Sequence, residues 1–106
     1  MNYILTITTD FLLLLLATPL VFAQGAGIEW EILNQEVMDL YRTGKYGRAV
    51  VVAKKALEVA EKNVGLNHPD VASCLENLAA LYRDTKRNED AKTLEQRAAR
   101  IRSIQR

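Results

Sequence analysis

His68, Ser73 and Cys74 stand within seven positions of one another and supply an imidazole, a hydroxyl and a thiol. A nucleophile of this kind needs a base within hydrogen-bond reach and an acid that orients the base. Spacing fixes no such acid here, because the carboxylates are scattered as on any solvated helical surface. His68 is the only histidine and Cys74 the only cysteine, so the chain has neither a His pair nor a Cys–His cluster to hold a metal. "GAG" at Gly25–Gly27 precedes a helical pattern but follows no strand, and so lacks the context of a phosphate loop. These residue types imply no catalytic set, no metal and no cofactor. The chemistry that remains is recognition by amides, arginines and apolar side chains.

The elements that must position such side chains are helices. From Ile28 on, four amphipathic stretches follow one another with short breaks. Trp30, Leu33, Val37 and Leu40 recur at spacings of three and four, which predicts a helix over about Glu29 to Thr43. Gly44 ends it, since glycine readily takes the left-handed cap conformation. A second helix is predicted over about Tyr46 to Asn63, with Ala49, Val52, Ala56 and Val59 inward and Gly65 as its stop. A third starts near Pro69, whose missing N–H suits the first helical position. It buries Val71, Leu75, Leu78 and Tyr82, and His68 is placed to cap it. The fourth covers about Glu89 to Ile104, with Ala91, Leu94, Ala98 and Ile101 inward and Asn88 as its expected N-cap. "AVVVA" (Ala49–Ala53) is the only strand-like run and lies inside a helical pattern. "GAG" reads as a flexible lead-in.

The stripe Ala49, Val52, Ala56, Val59 reappears as Ala91, Leu94, Ala98, Ile101, shifted by 42 residues. Alanines seven apart lie on one face and let a neighbouring helix approach closely. A helix pair echoed by a second helix pair implies an α-solenoid. The first helices agree less well: Leu33 meets Leu75, but Glu36 meets Leu78. "LYR" recurs at Leu40–Arg42 and Leu81–Arg83, a shift of 41, which implies two turns that differ by one residue.

"AVVVAKKALEVAEKNVGLNHPDVASCLENLAALYRDTKRNEDAKTLEQRAARI" resembles tetratricopeptide repeats, in particular the long variety of kinesin light chains and many bacterial proteins. "LENLAALY" is similar to that family's first-helix signature, "GKYGRAV…ALEVAEK" to its turn and second helix, and "GLNHPDVA" to its longer inter-repeat loop. Two departures stand in "TKRNED", where Lys86 and Asn88 replace a glycine and an aromatic; Glu95 also replaces a bulky apolar residue. The resemblance implies an all-α fold, two tetratricopeptide-type helix-turn-helix repeats forming a short right-handed solenoid over about residues 30–64 and 69–106. It also implies a concave face lined by the first helix of each pair. On that face fall Glu31, Asn34, Gln35, Met38, Tyr41 and Arg42 from the first repeat, and Ser73, Glu76, Asn77, Ala80, Arg83 and Asp84 from the second. Asn77 stands where the family often has an Asn that contacts extended peptides, and Gln35 holds the matching place. An amide can donate to and accept from a peptide backbone, and Arg42 and Arg83 could fork a carboxylate. The implied role is a non-enzymatic protein- or peptide-binding adaptor, with a structural self-association module as the alternative.

Upstream, "FLLLLLATPLVF" (residues 11–22) is short for a membrane span and fits the apolar core of a secretory signal, with cleavage after Ala23. Against this, "MNYILTITTD" has no Lys or Arg and Asp10 abuts the apolar run. The alternative is an uncleaved membrane anchor formed by residues 3–23. Export to the periplasm or the cell exterior is the expectation. The chain after Ala23 carries 14 Lys and Arg against 12 Asp and Glu, which implies no nucleic-acid partner. The charge is uneven: Arg83 onward holds eight bases and four acids, Gln24 to Tyr82 six bases and eight acids. The arginines of "RAARIRSIQR" have no aromatics interleaved for stacking on bases.

Overall fold

The structure is a computed structural model that describes residues 25–105. The expected signal segment and its cleavage position lie outside the described residues. Those residues form four α-helices and no strand: α1 (Ile28–Arg42), α2 (Tyr46–Val64), α3 (Pro69–Asp84) and α4 (Asn88–Ile104). Each helix packs on its neighbour in sequence, α1 on α2, α2 on α3 and α3 on α4. Among the described residues, no helix is long and apolar enough to cross a membrane.

Small residues set the helix contacts. Ala49, Ala56 and Ala91 are 0% exposed and Ala98 is 2% exposed, so all four point into the core. The core has two layers. One gathers Ala56, Ala60, Val71, Cys74, Leu75, Ala98 and Ile101, with Trp30, Leu33 and Leu57 packed against it. The other gathers Val37, Leu40, Ala49, Ala53, Leu78, Leu81, Tyr82 and Ala91. Val52 and Leu94 are only half-buried, whereas Ala53 and Ala60 are fully buried. For α2 the reason is that it has packed helices on two sides, so its apolar face is wider than the single stripe predicted for it. Arg97 of α4 reaches Glu61 of α2 at 2.7 Å and ties the two second helices together.

The two turns within the pairs are the same length, which corrects the reading based on "LYR". After α1, Lys45 N–H donates to the Leu40 carbonyl and Gly44 N–H to that of Tyr41; after α3, Arg87 N–H donates to Tyr82 and Lys86 N–H to Arg83. These are paired Schellman bonds, 6→1 and 5→2, in both repeats. Thr43 and Thr85 bond back to the preceding turn in the same way. Every position of the first repeat therefore has its equivalent 42 residues on, and "LYR" is an out-of-register coincidence.

This motif requires a left-handed residue after the helix. Gly44 supplies it at φ 76°; Lys86 is forced into it at φ 63°. A side chain in that region costs about 1–2 kcal/mol. We expect Lys86→Gly to stabilise the fold by about 1 kcal/mol, after allowing for the unfolded-state entropy that glycine adds. Urea unfolding followed by circular dichroism should show a higher midpoint; an unchanged or lower one would refute the assignment of strain.

Two local expectations are corrected. Asn88 does not cap α4: it is the first helical residue, and the cap position is Arg87, which makes no side-chain bond to the helix amides. Arg87 instead pairs with Asp90 and lies 4.2 Å over the Tyr82 ring. His68 does cap α3, its Nδ1 accepting from Asp70 N–H at 3.0 Å. Nor is "GAG" a loose lead-in. Ala26 is 1% exposed, its N–H donates to Asp70 Oδ2 at 3.0 Å, and its carbonyl accepts from Asn63 Nδ2 at 2.7 Å. Gly25 is needed there, because an added Cβ would lie 2.8 Å from Asp70 Oδ2.

Candidate peptide groove

Helices α1 and α3 run on the same side of the stack and leave a shallow hollow between them. Met38 and Tyr41 of α1 and Asn77 and Ala80 of α3 line it, with Val37 and Leu81 beneath, enclosing a volume of about 170 Å³. The periodicity of both helices creates it. Val37 and Leu81 face the core, while Met38 and Ala80, each adjacent to a core position, are turned outward. Met38 is 49% exposed and Tyr41 38%. Met is flexible and polarizable and adapts to varied apolar shapes. Tyr41 also meets Tyr46 of α2, ring centroids 5.4 Å apart. Its phenol pKa is raised, first by hydrogen bonding to the Asp84 carboxylate and then by that group's charge. The Asn77 amide makes no side-chain hydrogen bond within the described residues and stands exposed at the hollow.

The other residues expected on this face are placed differently. Asn34 is half-buried on α1. Gln35 donates to Asp39 Oδ1 at 3.1 Å, and Arg42 pairs with the same carboxylate. The Asp39 pKa is lowered, first by the Arg42 hydrogen bond and then by that of Gln35. On α3, Arg83 places Nε and Nη2 on Glu95 Oε1, with Nε at 2.8 Å. Glu76 accepts from Arg102 at 2.7 Å. Ser73 donates to the Pro69 carbonyl and accepts from Arg102. Both arginine forks considered for a partner's carboxylate are thus engaged within the chain. Glu31 lines a separate depression beside Gly25, Trp30 and Asp70.

The sequence model of the tetratricopeptide repeat matches residues 31–103, which takes in all four helices. The chain belongs to the tetratricopeptide repeat family. Repeats of this family are protein-interaction scaffolds. A curated relative is the secreted RxLR effector protein RXLR-C07 of Plasmopara halstedii, 34% identical over 68 residues, covering 64% of this chain and 21% of the relative. The chain therefore spans about a fifth of that protein's length.

Within this tetratricopeptide pair, periodicity did not reveal Asn63 and Asp70. They pin Ala26 across the seam between α2 and α3. The one usable sign was Asp70 directly after Pro69, an acid in the first turn of a helix. Cys74 is another seam residue: Trp30 Nε1 donates to its Sγ at 2.8 Å, and burial pushes the thiol pKa up despite that bond. A buried thiol that holds its proton is a packing group rather than a nucleophile. Among the described residues, no three His, Cys, Asp or Glu side chains are grouped to hold a metal.

Proposed function

We propose that the chain is a non-enzymatic adaptor that holds an extended segment of a partner protein along the face shared by α1 and α3. The hollow carries this reading: apolar walls from Met38, Tyr41 and Ala80 sit beside an exposed, unengaged Asn77 amide. Such a pairing takes one apolar side chain and fixes the backbone next to it. Asn34 and Asp84 extend the same surface along the two helices. The repeats are read as the long-loop variety of kinesin light chains, with units over about 30–64 and 69–106; the His68 cap in "GLNHPDVA" supports that loop type. We further propose that the chain is exported by residues 1–23. The apolar run supports this, as does the word "secreted" in the relative's name.

The test is a displayed library of extended peptides, with the selected binders titrated by fluorescence anisotropy. Ala80→Glu should fill and charge the hollow and weaken binding by at least about tenfold, roughly 1.4 kcal/mol. Asn77→Ala should weaken it about fivefold, the loss of one net hydrogen bond of about 1 kcal/mol. Val51→Glu, on an exposed position of α2, should change nothing. Selected peptides that bind Ala80→Glu and Asn77→Ala as tightly as the parent would overturn the groove.

A further inference from the structure

We propose that the two ends of the helical stack are complementary and that copies of this chain associate head to tail. The inference goes beyond the groove and concerns the ends of the stack, the two surfaces sharing Ala80. It follows from the 42-residue equivalence. Val71, Cys74, Leu78 and Leu81 of α3 are between 0 and 3% exposed, but their equivalents on α1, Glu29, Ile32, Glu36 and Asp39, are all exposed. The two first helices differ in one respect: α3 has α2 packed before it. This stripe is therefore the face a first helix turns towards a preceding pair, and among the described residues it is open on α1.

The same comparison finds the other end. Val50, Ala53, Leu57 and Ala60 of α2 are buried or half-buried, and their equivalents on α4 are Lys92, Glu95, Ala99 and Arg102. Three of these four are exposed, and Glu95 is half-buried under Arg83. Between α3 and α4 this end leaves a cleft of about 360 Å³, floored by Ala79, Ala80, Ala98 and Ala99. The matching cleft of the first pair is where α3 docks.

A second copy seated as α3 is seated on α2 would bring its α1 onto α4. Ala60 shares a core layer with Val71 and Cys74, so Arg102 would meet the partner copy's Glu29 and Ile32 positions. Val50 packs with Leu78 and Leu81, so Lys92 would meet the positions of Glu36 and Asp39. Ile32, 62% exposed, would enter the alanine floor. The head stripe carries three acids and the tail stripe two bases and one acid; with Asp39 paired to Arg42, Arg102 to Glu76 and Glu95 to Arg83, the charges left to match are Glu29 and Glu36 on the head and Lys92 on the tail. The uneven charge along the chain, acidic before Arg83 and basic after it, has the same sense. Such a contact is heterologous and does not close on itself, so it extends with concentration.

Sedimentation velocity of the full chain over a wide concentration range tests it. The average mass should rise with concentration and fall as salt is added, because the complementarity is ionic. Glu36→Lys alone and Lys92→Glu alone should each weaken association about tenfold. Mixing the two variants should restore it, since the changed head of one then fits the changed tail of the other. A monomer at every concentration would overturn the proposal, including one in which residues 1–24 cover the head stripe. An oligomer indifferent to both reversals, or one that mixing fails to restore, would overturn it too.

Discussion

Replacing Leu75 by Ala is expected to leave the fold largely unfolded at room temperature. Leu75 is 0% exposed and shares its core layer with Ala56 and Ala60 of α2, Ala98 and Ile101 of α4, and Ala26 of the lead-in. Five of the eight other buried residues of that layer are alanines, which have no spare length to fill a void. The cost of such a truncation is about 2–5 kcal/mol, rising with the cavity that remains. A domain of this size has only about 3–5 kcal/mol from its core. The single change therefore consumes most of the stability. The comparison is built into the repeat, because Leu33 holds the equivalent place and is only half-buried, with no pair packed before it among the described residues. Leu33→Ala should cost less than half as much. Urea unfolding of both variants by circular dichroism measures the difference. Equal losses would mean that the inter-pair seam does not concentrate stability at α3.

The limits of the helices were legible within a residue or so, because the signals that set them are local. Gly44, Gly65 and Pro69 act on their own backbone, and an amphipathic stripe is visible within one window. The burial of Ala49, Ala56, Ala91 and Ala98 was legible for a related reason: the repeat prints the same spacing twice. What escaped depends on partners distant in sequence. Nothing within "GAG" shows that Asn63 and Asp70 will bond the Ala26 backbone from 37 and 44 residues away. The turn register is hidden because identity in "LYR" points to one alignment and backbone conformation to another: Lys86 adopts, at a cost, what Gly44 prefers. On the candidate face, the availability of Arg83 turns on Glu95, which sits on another helix. Residue type showed which groups could bind a peptide. Only the packing of α4 on α3 separates Asn77, which stays open, from Arg83, Glu76 and Ser73, which are spoken for.

The seam between the pairs makes a second demand, opposite in sign to the first. Ala56 is 0% exposed, and Ala98, its equivalent, is 2% exposed in the same core layer. Here a helix comes close because a side chain is missing. Ala56→Leu would add three carbons where no space remains, forcing either an off-rotamer leucine or a shift of α3. Overpacking of this kind costs about 1–3 kcal/mol, despite the larger apolar area and a helix propensity close to that of alanine. The control is Ala99→Leu: Ala99 is exposed, one residue beyond Ala98 on the same helix, and leucine there should change stability by less than about 0.5 kcal/mol. If close approach is what joins the pairs, Ala56→Leu lowers the unfolding midpoint and Ala99→Leu does not. A leucine tolerated equally at both positions would show that the pairs can slide apart without loss. The placement of α3 against α2, and with it the hollow beside Asn77, would then have to be held by the capped loop and the Ala26 pin rather than by alanine packing.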